Sequence, residues 1–372
     1  MRILVIGEAG SIYVKEFIQY CLLPHHDEIY ILTGDGDTFF EFYQEQGVHL
    51  VILHSYASRL RRYMQILPKV WVLRGEVFDY IFICDVSAGR LKLNYLIKKG
   101  NAKSIACFWG SDVNSVPQKD IRIEKLLFHR IDRFNFYTRT LEKTFREKFG
   151  TSHRQKITHV RYGLSLLKVI DDLLETREDV RGALRLPREK VVVAVGYNNI
   201  PAQQHLKVLE QISKLPHQIL ERLHIVLSMT YGDGGAAYLQ TVRQACEGLP
   251  CTYTIYQERL DEMDKARLTL ATDVFIHAQV HDAFSGTIQE HLYAGALVLN
   301  PTWIYYDVLK EQDVFYLEYT DFDELREILE ENFCRKEEHP CRSRLETNRE
   351  KIHGIASWEH IAPLWDAICE RA

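Results

Sequence analysis

The stretch HDAFSGTIQEHLYAGALVLNP, residues 281–301, sets two acids, Asp282 and Glu290, eight positions apart around a loop of small residues. The run TDVFIHAQV before it reads as a buried strand, and HDAFSG as the loop at its carboxyl end. TIQEHLYA then places Ile288, Leu292 and Ala296 at i, i+4 spacing, which predicts a short helix with one apolar stripe. Gly295 stops that helix, and ALVLN is the next strand. Glu290 falls roughly opposite the stripe and Asp282 just past the strand end, so both acids can face one crevice.

The same alternation runs outward in both directions. In the first half RILVI, EIYIL, VHLVIL, DYIFIC, KSIACFW, RFNFY and ITHVR read as strands, with helical stretches near 12–22, 56–73, 90–99, 120–129 and 140–149. In the second half VVVAVG, LHIVLS, TYTIY, TDVFIHA and ALVLN are strands, with helices near 203–214, 236–247, 261–271 and 287–294. This alternation predicts two parallel-sheet α/β domains. Residues 166–189 are charged and strand-free, so the domain junction is expected there. The expected division is 1–165, joined by the C-terminal helix 356–372, and 166–355. In open α/β sheets ligands bind where strands end, in the crevice, so the loops after strands are the ones to inspect.

At 372 residues the chain is long enough for two cores. With 46% hydrophobic and 26% charged residues it has a globular composition. No apolar run reaches the ~18 residues of a membrane span. The start MRILVIGEAG is too short for a secretory signal and lacks a cleavage site, so a cytoplasmic location is expected. None of the eight cysteines forms a CxxC pair, which predicts reduced, mostly buried thiols rather than a zinc or redox site. No HxxxH or HExxH sits on a predicted helix, so the 16 histidines imply no metal. The net charge of −5 hides a split: residues 1–165 hold 24 Lys and Arg against 17 Asp and Glu, a balance of +7, and the remainder −12. A basic first half suits an anionic membrane or a phosphate-bearing acceptor.

The Ser285-Gly286-Thr287 turn opens a helix, where backbone N–H groups can meet an anion and glycine allows close approach. A phosphate there, with a carboxylate on either side for sugar hydroxyls, describes a nucleotide-sugar site. The plain structural alternative is a helix cap by Ser285 or Thr287, with Glu290 an ordinary first-turn acid.

The segment resembles the Glu-x7-Glu motif of retaining GT-B glycosyltransferases of family 4, here as Asp282-x7-Glu290. The resemblance implies a GT-B fold, two Rossmann-like domains facing each other across a cleft. It implies that Glu290 binds the ribose, that Asp282 contacts the donor sugar, and that the loop Phe284, Ser285, Gly286 and Thr287 meets the diphosphate. GEAGS (7–11) resembles the family's N-terminal glycine loop, which brings in Gly7, Glu8 and Gly10. FWGSDV (108–113) occupies the place of its His-Gly-x-Asp segment, with Trp109 where a His is common and Asp112 retained. VVVAVGYNNIPAQQH (191–205) resembles the strand-glycine loop that opens the second domain. Gly196 is its glycine, and Asn198, Asn199, Gln203, Gln204 and His205 stand in place of the usual Arg and Lys. That loop, the WG-x-D segment and SMTYGDGGAAYL (228–239), with Thr230, are similar to the TDP-N-acetylfucosamine:lipid II transferase family. ASWEHIAPLWDAI (356–368) resembles the C-terminal helix that returns to the first domain. Gln257–Leu260 is the expected base contact.

The implied activity is a metal-independent hexosyl transfer. A UDP-, GDP- or dTDP-sugar is the substrate, no cofactor takes part, and the acceptor is a glycan or lipid-linked glycan in bacterial surface polysaccharide synthesis. Asp282, Asp112 and Glu8 are the candidate catalytic acids; an inverting enzyme would need a base, and Asp112 and Glu8 are the ones to test. SRLRRYMQILPKVWVLRG (58–75) interleaves Arg59, Arg61, Arg62 and Lys69 with apolar residues and Trp71. This suits a peripheral contact with an anionic membrane or a lipid-pyrophosphate acceptor. Alternatively its apolar stripe packs on the first sheet with solvated arginines, and Pro68 is expected to interrupt the helix. Nucleic-acid binding is disfavoured by the pI of about 6.4 and the absence of a motif. Three alternatives stay open: a nucleotide-sugar epimerase or phosphorylase, a non-catalytic GT-B-like binding subunit, and, least favoured because GEAGS lacks the full GxGxxG, an oxidoreductase.

Overall fold

Seven apolar runs of the first half become seven strands: β1 (Arg2–Ile6), β2 (Glu28–Thr33), β3 (His49–Ile52), β4 (Tyr80–Cys84), β5 (Lys103–Phe108), β6 (Arg133–Phe136) and β7 (Lys156–Thr158). They pair in parallel in the order β3-β2-β1-β4-β5-β6-β7. Parallel strands need crossover helices, which cover both faces and let the strands be apolar throughout. β4 is buried at every position, and Val5 of β1 lies between Ile31 and Phe82. Six strands of the second half form a second parallel sheet. They are β8 (Val191–Val195), β9 (Leu223–Ser228), β10 (Thr252–Tyr256), β11 (Val274–Ile276), β12 (Leu297–Pro301) and β13 (Leu317–Tyr319), ordered β10-β9-β8-β11-β12-β13.

This is a computed structural model that describes residues 1–25, 27–35, 38–55, 58–151, 155–334 and 342–370. The candidate side chains of Arg59 and Arg62, and the thiols of Cys334 and Cys341, lie outside the described residues. The chain divides into unit 1, Met1–Gly163 with Trp358–Ala372, and unit 2, Leu164–Ser357. In each unit the strand order runs out from the first strand, then reverses. The reversal points fall between β1 and β4 and between β8 and β11. Loops that leave these strands at their carboxyl ends diverge and open a crevice. In unit 1 the crevice is bounded by Gly7–Ser11; in unit 2 it is bounded by residues 196–204 and 277–285.

Three local expectations change. Strand β13 was not expected: its LEY sets an acid at the centre of a three-residue strand, where the equally short β11 has the apolar VFI. Helix Phe40–Glu45 was also not expected. Pro68 does not interrupt its helix, which runs continuously over Arg59–Gly75. Proline removes one amide bond, costing ~3 kcal/mol in a helix interior. Here Val70 and Leu73 on the next turns are buried and hold the helix down.

The chain leaves unit 1 after Gly163 and returns at Trp358. The helix Trp358–Ile368 is part of unit 1. Trp358 Nε1 donates to Glu16 Oε2 at 2.8 Å, its ring stacks on Tyr20, and Trp365 Nε1 donates to the Arg161 carbonyl at 2.8 Å. Gly163 sits against the indole: a Cβ there would lie 2.5 Å from Trp358 Cδ2. Gly163→Ala is therefore expected to push the indole off its site and destabilise unit 1 by about 3 kcal/mol, through overpacking and a strained hydrogen bond. Urea unfolding of the intact chain measures it, and an unchanged midpoint would contradict the packing described.

Candidate functional site

Because every strand of unit 2 is parallel, the loops after the strands emerge at one edge, and side chains tie the β8, β9, β11 and β12 loops together. From the β8 loop, Gly196 adopts φ +62° and turns the chain. Tyr197 Oη then donates to Gln279 Oε1 of the β11 loop at 2.5 Å, and the same hydroxyl also bonds Ser285. Gln203 Nε2 reaches the same Gln279 oxygen at 2.8 Å, and Gln204 Nε2 the Ala278 carbonyl at 2.7 Å. Asn199 clamps the β9 loop: its amide donates to the Tyr231 carbonyl at 2.6 Å, and its carbonyl accepts from Gly234 N at 2.8 Å. Gly232 and Gly234 are required there, since a Cβ at either would lie within 2.7 Å of the Asn199 carbonyl oxygen. The Asn198 side chain bonds the Tyr231 hydroxyl. Thr230 follows β9, half-buried.

Glu290 stands on the helix Gly286–Tyr293. The expected polar face of this helix is absent: Gln289, Glu290 and His291 are buried along with Ile288 and Leu292. Glu290 is 3% exposed. Its Oε1 accepts from Lys265 Nζ at 2.7 Å, and its Oε2 is buried with no protein partner. A buried carboxylate oxygen left unpaired is costly, so this one is set to accept a hydroxyl or water proton. Lys265 comes from the helix Glu262–Ala271, which follows the β10 loop. Ile255, Tyr256, Gln257, Arg259, Leu260 and Asp264 line an open recess at that loop.

Asp282 plays a different part. Its Oδ1 accepts from the Ala283 amide at 2.9 Å, and its Oδ2 from the Ser285 amide at 2.8 Å and the Tyr306 hydroxyl at 2.5 Å. Burial and the neighbouring Asp282 charge push the Tyr306 phenol far up, so it stays a donor. Ser285 caps the helix, its Oγ accepting from Thr287 N at 3.2 Å. The amides of Ser285 and Thr287 are thus used within the loop, where the Ser285-Gly286-Thr287 turn was expected to offer free N–H groups to an anion. Phe284 is buried against Tyr306.

Unsatisfied buried atoms gather around these loops. Among the described residues Asn198 Oδ1, Asn199 Oδ1, Gln203 Oε1, His205 Nε2 and Glu290 Oε2 have no protein partner. Orphaned buried polar atoms are scarce in folded proteins, so a cluster of them marks a place for water or ligand. Burial holds His205 and His291 neutral, pushed down to about 4. Burial also lowers His277, against the nearby Asp282 charge. His205 Nδ1 meets the Tyr238 hydroxyl at 3.0 Å, and its Nε2 lies against Gly196, where a Cβ would come within 2.6 Å.

Unit 1 holds the other candidates. Gly7 packs on Cys84, where a Cβ would meet the Cys84 Cβ at 3.1 Å. Gly10 has room. Glu8 Oε1 accepts from Arg90 Nη2 at 2.6 Å. Asp112 is buried, and its oxygens accept from the amides of Val86, Trp109 and Gly110 at 2.8–3.1 Å. Burial pushes its carboxyl up to about 7, against the lowering pull of those amides. Asp112 therefore ties the β4 and β5 loops together. On the helix Arg59–Gly75, Arg61 and Trp71 are exposed, while Lys69 Nζ bonds the Ile52 carbonyl.

Sequence reading missed Lys265, Tyr306, Tyr197 and Arg90. Tyr197 and Tyr306 lie in loops that follow strands, so the carboxyl-end rule would have found them. Lys265 lies a full loop and a helix turn past β10, and no spacing marks it as the partner of Glu290.

No protein-family model matches the chain, and no curated protein does. Solved structures do match. HepE from Anabaena, in complex with UDP and glucose, gives a TM-score of 0.78 at 13% identity, over 100% of each chain. A glycosyltransferase from Rickettsia africae gives 0.79 at 14% identity, over 99% of this chain and 97% of that one. Sucrose-phosphate synthase from Thermosynechococcus elongatus gives 0.75 at 15%, over 100% and 98%. At such identity the likeness establishes the fold. The chain has the two-domain Rossmann-like GT-B fold.

Proposed function

We propose that this chain is a glycosyltransferase that holds a nucleoside-diphosphate sugar on unit 2. It passes the sugar with retention, as family 4 GT-B enzymes do, to a glycan or lipid-linked acceptor of bacterial surface polysaccharide synthesis in the cytoplasm. The observation that carries this reading is Glu290: a buried carboxylate with one oxygen held by Lys265 and the other unpartnered, at the carboxyl edge of the sheet. Ribose hydroxyls fit that oxygen. Lys265 and the Gly286 end of the helix supply positive potential for the diphosphate, where the sequence lacks the usual Arg and Lys. The recess around Gln257–Leu260 suits the base. Asp282 holds the loop rigid through Ser285 and Tyr306. HepE, solved with UDP and with UDP-glucose, supports the choice of donor class.

In the reaction the bond from the anomeric carbon to the diphosphate oxygen breaks, and the acceptor oxygen bonds to that carbon. The acceptor proton passes to the leaving phosphate, whose charge the cation and helix end stabilise as it grows. Retention is the reading carried by the Asp282-x7-Glu290 resemblance; Glu8, paired with Arg90, and Asp112, which accepts from three amides, are the acids that inversion would have to use as a base.

The test is incubation of the intact protein with UDP-, GDP- and dTDP-sugars, following diphosphate release and the product anomer by NMR. One donor is expected to be consumed, slowly with water and faster with acceptor, the anomeric configuration retained. A protein that consumes no donor fits the non-catalytic binding subunit instead. One that converts the donor sugar without acceptor fits an epimerase.

A further inference from the structure

We propose that one face of unit 1 is an interfacial surface that docks on an anionic lipid bilayer. The face is built from three neighbouring helices: Arg59–Gly75 packs on Ala88–Ile97, which packs on Gln118–Leu127. The first carries two apolar stripes. One, with Val70 and Leu73, is buried on the unit. The other, Leu60, Met64, Leu67 and Trp71, follows i, i+4, i+7, i+11 spacing, so it lies along one line of the helix. These side chains are 69%, 63%, 68% and 77% exposed. A surface helix buries one stripe and turns polar residues outward. This one turns outward a second stripe as apolar as the first, and an exposed patch of this kind marks an interaction site.

Charge decides the partner. Arg59–Gly75 carries five Lys and Arg and no acid, and Ala88–Ile97 adds Lys92, its other cation Arg90 being paired with Glu8 and Asp85. Gln118–Leu127 adds Lys119, Arg122 and Lys125 against Asp120 and Glu124, and Glu124 is buried. Arg61, Lys92, Lys119, Arg122 and Lys125 are exposed, beside exposed Leu126. A second copy of this face would set like charge against like. An acidic bilayer meets the cations with lipid phosphates and takes Trp71 and the leucines at the headgroup boundary. No helix among the described residues is long and apolar enough to cross a membrane, so the contact lies in the plane of the surface.

Vesicle sedimentation tests this with the intact protein. Binding to phosphatidylcholine vesicles containing phosphatidylglycerol is expected, with little binding to phosphatidylcholine alone and release by added salt. Met64→Glu/Leu67→Glu, two exposed changes, is expected to weaken binding on the order of tenfold or more while nucleotide affinity stays unchanged. Brominated acyl chains are expected to quench part of the tryptophan emission in the wild type and not in Trp71→Phe. Absence of vesicle binding, indifference to acidic lipid, or binding untouched by the double variant overturns the proposal. A concentration-dependent dimer that the double variant dissociates, without vesicle binding, assigns the face to a second copy. The proposal does not rest on the nucleotide site, so either can fail alone.

Discussion

Replacing Glu290 by alanine is expected to lower the affinity for the bound nucleoside diphosphate by about 100-fold. A hydrogen bond to a charged acceptor contributes about 1.5–3 kcal/mol and a 100-fold loss corresponds to about 2.8 kcal/mol, so one ribose hydroxyl on the unpartnered Oε2 accounts for it. Folding is expected to survive. The partner left behind, Lys265, is 47% exposed and returns to water, so no buried cation is stranded. Glu290→Gln separates charge from shape: it keeps one acceptor oxygen, loses the attraction to Lys265, and should fall between wild type and alanine. Asp282→Asn predicts a different profile. It weakens the ties to the Ser285 amide and the Tyr306 hydroxyl, so it should lower turnover and loosen the loop while affecting the diphosphate affinity less.

Acid is expected to unfold unit 2 well before unit 1. His205, His224 and His291 are buried, with pKa values down to about 4. Burial is the first cause for each; for His224, Lys190 and Arg181 add to it. The folded unit keeps these imidazoles neutral, while the unfolded chain protonates them near 6.5. Between pH 6.5 and 4 the unfolded state therefore binds more protons, and stability falls as pH falls. Each histidine is worth up to ~3 kcal/mol at the acid end, because every tenfold loss of proton affinity on folding corresponds to about 1.36 kcal/mol. Three together rival the ~5–15 kcal/mol of a whole domain. Asp112 in unit 1 works the other way: its raised carboxyl favours the fold below its ordinary value and loses that support as pH rises through about 7. Scanning calorimetry of the intact chain between about pH 7 and about pH 4.5 measures this. The unit 2 transition should move down steeply, and His224→Gln, which keeps hydrogen-bonding capacity beside Thr252 and Thr254, should flatten the slope by about a third. A unit 2 transition indifferent to pH would contradict the burial described.

Much of the fold was legible because parallel sheets bury both faces of each strand. Runs such as YIFIC and VVVAV carry no polar alternation and stand out from the amphipathic helices between them. β13 escaped because LEY carries an acid at its centre, where the equally short β11 is the apolar VFI. Pro68 misled because helix propensity is local, while Val70 and Leu73 hold the helix from the core. At the site, the spacing of Asp282 and Glu290 was legible because strand, loop and helix are consecutive. What each acid does was not. The Asp282 carboxylate is claimed by amides one and three residues on and by Tyr306, and Glu290 by Lys265, twenty-five residues earlier. The Tyr306 and Lys265 pairings exist only once the sheet brings the β10, β11 and β12 loops to one edge. The outward stripe of Arg59–Gly75 could be spelled from the sequence, but which of its two apolar stripes faces the core could not.

Whether Glu290 marks a nucleoside-diphosphate site on unit 2 is tested most directly by calorimetric titration of UDP, GDP, dTDP and CMP into the intact protein, with Glu290→Ala in parallel. The expected result is that one diphosphate binds at a single site, and that the variant, folded to the same calorimetric profile, loses most of that affinity. If no nucleotide binds the folded wild type, or the variant binds as tightly, Glu290 is not where a nucleotide sits.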